Sequence, residues 1–320
     1  MDAEFAAAAL QLFYSQSRNN PVYAQYISYL GVNPENVSDV WHIPFLPVQF
    51  FKTHEVISGG TKANECDAVF TSSGTTGMST SRHYVKDIEV YYQSLEKGFT
   101  EFYGSPQNYT ILALLPSYLE RKGSSLIVMA QRLMQLSQQD GDGFFLYDFA
   151  ALHNRINREI AAGKRVLLIG VTFALMDFAR EFPAHYGNDV IIMETGGMKG
   201  RRKELTRYEV HAYLTERLGV TAIHSEYGMT ELLSQAYSNG GGIYRPSSTM
   251  RVIIRDSTDP LISAPVDTAG GVNVIDLANR YSCAFIETQD IGILHSDESF
   301  EILGRFDASD IRGCSLMYTK

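Results

Sequence analysis

In Arg165-Val166-Leu167-Leu168-Ile169-Gly170 a single arginine opens an unbroken apolar run that leads straight into residues 171–182, where apolar positions fall at helical spacing. A strand without polar alternation is one whose two faces are both covered, and a helix directly behind it is the crossover that a parallel neighbour requires. The same order recurs at Thr110 to Leu115 before 123–138 and at Val190 to Met193 before 204–218. These units predict an α/β fold on a parallel sheet with helices packed against it.

Toward the N-terminus, Ile88 to Tyr103 reads as a helix, Ile43-Pro44-Phe45-Leu46-Pro47 as an extended segment, and residues 2–30 as helical up to Gly31. Beyond Gly240-Gly241-Gly242 the texture changes to alternating runs such as Met250-Arg251-Val252-Ile253-Ile254 and Gly271-Val272-Asn273-Val274-Ile275, separated by turn residues. The expected organisation is an α/β core over 1–240 and a β-rich subdomain with a C-terminal tail over 241–320.

The 320 residues are 45% hydrophobic, enough to bury a large core. A formal net charge of -9 argues against nucleic-acid binding, which needs dense Lys/Arg surfaces. The densest basic cluster, Lys199, Arg201, Arg202 and Lys203, reads as a solvated loop. No membrane span is expected, because the run Val166 to Met176 falls well below the roughly 20 residues a membrane helix requires. The acidic start Met1-Asp2-Ala3-Glu4 does not suit a signal peptide, so a cytoplasmic location is expected.

Two segments carry chemistry. The first, Thr71-Ser72-Ser73-Gly74-Thr75-Thr76-Gly77, lies between apolar Ala68-Val69-Phe70 and the strand-like Arg82-His83-Tyr84-Val85. Its glycines let successive N–H groups converge on an anion, and its hydroxyls add donors, which makes a phosphate-gripping loop. A flexible polar linker would share the composition; the ordered flanks favour the loop. No Gly-Lys-Ser/Thr follows, which excludes a Walker loop. The second segment, His224-Ser225-Glu226-Tyr227-Gly228-Met229-Thr230-Glu231, follows the apolar Val220 to Ile223 strand and precedes helix-like Leu232 to Tyr237. Open α/β sheets bind ligands at such strand ends. Tyr227 offers a flat face for a base, Thr230 a hydroxyl for a phosphate oxygen, and Glu231 a hard oxygen for Mg2+. The alternative makes Thr230 and Glu231 a favourable first helical turn. His224 is placed to orient a carboxylate or nucleotide, whereas His83, His211 and His295 sit in regular segments and read as structural.

Taken together and in this order, Ser72-Ser73-Gly74-Thr75-Thr76-Gly77 and Tyr227-Gly228-Met229-Thr230-Glu231 resemble the two signature motifs of the adenylate-forming (acyl-CoA synthetase-like) superfamily. Weaker matches are Gly196-Gly197, Thr288-Gln289-Asp290 and Gly304-Arg305-Phe306-Asp307. The resemblance implies use of ATP and Mg2+, with Gly196, Gly197 and Tyr227 flanking adenine and Gly228 beside them. It also implies Asp290 on the ribose hydroxyls, Arg305 on ribose or phosphate, and Glu231 on the metal. Within the superfamily the chain is most similar to the acyl-protein synthetase (LuxE) family of bacterial bioluminescence operons. The likeness rests on Ile43-Pro44-Phe45-Leu46-Pro47, Phe50-Phe51-Lys52, Tyr227 through Gln235, and Arg312-Gly313-Cys314-Ser315-Leu316.

That family activates a fatty acid with ATP, accepts the acyl group on a C-terminal cysteine and passes it to a partner reductase, which makes Cys314 the implied acceptor. Independently of the family, Cys314 lies between Gly313 and Ser315 near the end of the chain, with Arg312 and Arg305 as cations that would favour its thiolate. Cys66 and Cys283 read as small buried residues, and three widely spaced cysteines indicate neither a disulfide framework nor a zinc site. The pattern departs from the superfamily in two respects. Where many members close the phosphate loop with lysine, the first cation here is Arg82. The superfamily's mobile C-terminal domain, with its catalytic lysine, is expected to be absent, leaving Arg82, Lys86, Arg201, Lys203 or a partner subunit to supply the cation. Two other functions stay open: an acyl- or aryl-CoA ligase using coenzyme A or a carrier protein, and a catalytically inactive nucleotide-binding subunit of an acyl-processing complex.

Overall fold

Leu167 and Ile169 bury themselves on one face of their strand, and Val166 and Leu168 on the other. The computed structural model, which describes residues 1–72, 80–116, 123–196 and 205–306, shows why. The strands β4 (Tyr109–Leu114), β5 (Gly143–Phe145), β6 (Arg165–Val171), β7 (Val190–Thr195) and β8 (Ile223–Tyr227) form a parallel block in the order β5-β4-β6-β7-β8. Helices Phe149–Ala161, Thr172–Glu181 and Arg207–Leu218 cover one face, with Leu152, Leu175 and Leu214 fully buried. Helices Ile88–Tyr103 and Ser125–Ser137 cover the other, through Leu95, Phe99 and Leu133. The expected α/β architecture is present.

The sheet continues past β8 through the antiparallel strands β9 (Ala236–Ser238), β10 (Ile243–Pro246), β14 (Phe300–Arg305), β13 (Phe285–Leu294), β12 (Ala269–Asp276) and β11 (Met250–Arg255). The extended segment at 43–47 contributes β1 (Leu46–Pro47), which lies parallel to β13, completing a 12-stranded sheet among the described residues. A separate hairpin pairs β2 (Ala68–Thr71) with β3 (Arg82–Val85), so the small-residue segment is the connection between two hydrogen-bonded strands. Residues 73–79, Gly197, Arg201, Lys203 and Cys314 lie outside the described residues.

Local chemistry sets the boundaries. Asp87 accepts from the Glu89 N–H at 3.0 Å, and Gly104 ends the same helix at φ 72, a conformation closed to most side chains. The helix expected over 2–30 is two helices, Ala3–Asn19 and Pro21–Tyr29. Pro21 has no N–H to continue the first, and Asn20 caps the second by accepting from Tyr23 N at 3.1 Å. Residues 232–237 are not a helix either. The buried Asp276 carboxylate takes the N–H groups of Leu233 at 2.7 Å and Ser234 at 3.0 Å together with the Ser234 hydroxyl at 2.6 Å, so those amides have no call on helical carbonyls. The strand expected at 220–223 begins at Ile223 and takes in Ser225, Glu226 and Tyr227. Among the described residues no helix is long and apolar enough to cross a membrane.

Candidate functional site

The base of the hairpin connection and the acidic end of the second motif meet. Ser72 and Ser81 close the connection: the Ser81 N–H donates to Ser72 Oγ at 2.9 Å, and the Ser72 N–H donates to the Ser81 carbonyl at 3.2 Å. The Ser81 side chain favours the ionised Glu231 carboxyl, and the next-but-one residue, His83, reaches the Thr230 carbonyl with Nδ1 at 2.9 Å. Residues separated by 147 positions are thereby joined through buried or half-buried polar contacts. Because β8 ends at Tyr227, Gly228 through Glu231 emerge at its carboxyl end, where ligand sites in open α/β sheets lie.

Glu231 is 4% exposed. Burial pushes its carboxyl above the usual range, although the Ser81 side chain and the charges of Arg305 and Lys52 work the other way. Such a carboxyl fits a magnesium ion, which typically takes one or two protein carboxylates together with substrate phosphate oxygens and would favour the ionised form. Among the described residues no group of three or more His, Cys, Asp or Glu is arranged to hold a metal by itself.

A second cluster adjoins it. The Tyr227 hydroxyl donates to Asp290 Oδ2 at 2.8 Å, while Arg305 Nε lies 3.2 Å from Asp290 Oδ1. Asp290 and Arg305 are register partners on β13 and β14, which explains how two separated motifs converge. Burial raises the Asp290 carboxyl despite Arg305 and Tyr227. Each carboxylate oxygen has a lone pair to spare for a ligand hydroxyl. The Tyr227 ring is wedged edge-on against Phe300 at 5.6 Å and near Tyr244 at 6.0 Å. Gly196 sits at the end of β7 with φ 66, and its carbonyl accepts from the Thr172 hydroxyl at 2.6 Å.

Beneath this rim, β7 and β8 carry a pair of buried acids. Thr195 and Glu226 are register partners, and the threonine hydroxyl donates to Glu226 Oε2 at 2.5 Å. Burial pushes the Glu226 carboxyl up to about 7; the Thr195 hydrogen bond opposes this and the neighbouring Glu194 adds to it. A Cβ at Gly228 would fall 2.3 Å from Glu226 Oε1, so any larger residue there would have to displace the buried carboxyl. Glu194, opposite Ser225, accepts from Ser225 at 2.9 Å and Thr172 at 2.8 Å. Burial alone would raise it, but His211, Arg207 and Thr172 together hold it below the usual range.

The remaining expected residues fall as follows. Thr230 is half-buried and Arg82 is exposed at the start of β3. Lys86 sits over the Tyr281 ring at 4.8 Å. His224 pairs with the Tyr103 hydroxyl at 3.2 Å, and burial lowers its pKa. Cys283 is fully buried, its thiol pushed up to about 12 by burial. Sequence reasoning missed Ser81 and Lys52 as members of the site and gave Glu226, inside the second segment, no role. Lys52 stood in a quoted motif, but no spacing connects it to Glu231.

Among curated proteins none matches this chain in sequence. In solved structures, 2-hydroxyisobutyryl-CoA ligase in the postadenylation state in complex with 2-HIB-AMP aligns with a TM-score of 0.68 at 13% identity, over 96% of this chain and 68% of that one. ATP-bound MatB from Rhodopseudomonas palustris aligns with a TM-score of 0.56 at 16% identity, over 78% of this chain and 50% of that one. The match thus spans about half the length of the MatB structure. At these identities the likeness shows a fold shared with these ligases. The family model described as acyl-protein synthetase, LuxE, matches residues 2–320, and the chain belongs to that family.

Proposed function

We propose that this protein activates a carboxylic acid, a fatty acid by its family, with ATP and then carries the acyl group on Cys314. A carboxylate oxygen bonds to the α-phosphorus, and the bond to the departing pyrophosphate breaks, leaving an acyl-adenylate. The Cys314 thiolate then attacks the acyl carbon, AMP departs with the bonding electron pair, and a thioester is ready for a partner such as a fatty-acid reductase. In this reading Asp290 holds the ribose hydroxyls and Gly196, Gly197, Tyr227 and Gly228 frame the adenine. Ser72, Ser73, Gly74, Thr75, Thr76, Gly77 and Thr230 offer donors to the phosphates.

Glu231 is the residue that would hold Mg2+, which supplies charge neutralisation at phosphate oxygens when bound. Lys52 and Arg305, whose charges already bear on Glu231, are the proposed cations at the rim, with Arg82 at the loop's edge. Fixed donors and cations aimed at developing phosphate charge are the main catalytic resource in such transfers.

One observation carries this reading: the hairpin and the acidic motif meet, with His83 Nδ1 on the Thr230 carbonyl at 2.9 Å and Ser81 acting on the Glu231 carboxyl. Intact-mass measurement after incubation with ATP, magnesium and a panel of carboxylic acids tests it. A gain equal to the acid less water, sensitive to hydroxylamine, is expected. A second acceptor is favoured by the likeness to a ligase described in complex with 2-HIB-AMP and CoA; acyl-CoA formation without protein labelling would select it. Neither product with any acid would overturn both.

A further inference from the structure

The segment Met229 to Gln235 has no regular structure of its own, yet it presents Thr230 and Glu231 at the site. Much of its polar backbone is held by side chains from elsewhere. Asp276 holds the amides of Leu233 and Ser234. Two consecutive carbonyls between them and the strand are held by different residues: His83 Nδ1 meets the Thr230 carbonyl at 2.9 Å, and Asn279 Nδ2 donates to the Glu231 carbonyl at 2.8 Å.

Both side chains are fully buried. The His83 ring stands edge-on to Phe51 at 5.6 Å and to Phe70 at 6.4 Å, which fixes its plane. Since a carbonyl only accepts, the proton lies on Nδ1. Asn279 is fixed in turn by the N-terminal helix, where Gln16 Nε2 donates to its carbonyl at 2.8 Å. Nε2 of His83 and Oδ1 of Asn279 make no hydrogen bond of ordinary length among the described residues, and the Asn279 side chain bears directly on the His83 ring, so the two clamping side chains are also neighbours of one another. Buried polar atoms held without close partners are costly, and an apolar pair would avoid them.

We propose that His83 and Asn279 are positioning residues that clamp consecutive carbonyls of the Thr230–Glu231 unit and so set where the Glu231 carboxyl points. His83 makes the clamp a link between the phosphate-loop hairpin and the acidic motif, since it leaves the loop on β3 two residues after Ser81. The catalytic consequence rests on the reading of the cleft given above; the structural one does not.

Three variants separate clamping from packing. His83→Phe keeps an aromatic ring against Phe51 and Phe70 but has no donor, whereas His83→Asn places an N–H near the Nδ1 position and gives up the ring. Asn279→Leu keeps volume and removes the second donor. Amide hydrogen exchange over residues 228–235 and the kcat of ATP–pyrophosphate exchange are measured on the full chain. His83→Phe and Asn279→Leu should speed exchange at Leu232, Leu233 and Ser234 and lower kcat, each at least about tenfold, the size of one lost hydrogen bond to a buried group. His83→Asn should restore most of both. Unchanged amide exchange in His83→Phe, or a His83→Asn variant as impaired as His83→Phe, overturns the clamp. A wild-type chain without pyrophosphate exchange refutes the functional reading instead, and the amide measurement still decides the clamp.

Discussion

Tyr227 and Asp290, 63 residues apart, are joined by a 2.8 Å hydrogen bond from the phenol to the carboxylate, and the same carboxylate faces Arg305 at 3.2 Å. If Asp290 receives the ribose, Tyr227 is what aims it. Tyr227→Phe keeps the ring against Phe300 and deletes the donor. A hydrogen bond to a charged group contributes about 1.5–3 kcal/mol, so the KM for ATP should rise roughly tenfold to a hundredfold. Initial rates at varied ATP check this, and an unaltered KM would remove Asp290 from nucleotide binding.

The Glu226 carboxyl sits near 7 against an ordinary 4.5, because burial disfavours its charge. Its folded-state value is raised, so the native chain holds a proton that the unfolded chain has released. Stability from this source is fully present below the unfolded value and is lost as pH rises through the folded one. Glu226→Gln removes the titration and leaves an acceptor for Thr195. Between about pH 5 and about pH 8 the variant should gain on the wild type by roughly 1–3 kcal/mol. Urea unfolding at both pH values measures the difference, and a pH-independent gap would show that Glu226 is ionised in the fold.

Lys52 is half-buried on the short helix Phe50–Thr53 and its charge bears on Glu231. Lys52→Gln should lower the kcat of ATP–pyrophosphate exchange about tenfold, as loss of one cation near phosphate charge would. A variant with wild-type kcat would leave Arg305 as the cation that matters there.

Cys314→Ser should still form acyl-adenylate while losing covalent acyl labelling. Mass spectrometry of the intact chain reports the label, and pyrophosphate exchange reports the first step. A hydroxylamine-sensitive adduct on the variant would move the acceptor elsewhere, with the buried Cys283 a poor choice.

Much of the fold was legible because it is written in local terms. Asp87 and Gly104 bracket a helix that the spacing alone places, and the apolar runs at 110–115 and 165–170 have no reading but a covered strand. The break at Asn20 was also legible, as a capping residue followed by proline, but helical spacing on both sides masked it. What escaped depends on distant partners. Leu232 to Tyr237 has helical spacing and lacks a helix because Asp276, 42 residues away from Ser234, captures its amides. The raised Glu226 comes from enclosure between β7 and the Gly228 turn, which no neighbouring residue announces. His83 read as structural from its position in a strand; its bond to Thr230 becomes visible only once the hairpin is placed against the second motif.

The most direct test of the account is exchange of labelled pyrophosphate into ATP with magnesium and a panel of carboxylic acids, in wild type and in Glu231→Gln. Acid-dependent exchange in the wild type, reduced at least about a hundredfold in the variant, is the expected result. Exchange that is absent with every acid, or that persists undiminished without the Glu231 carboxylate, contradicts it.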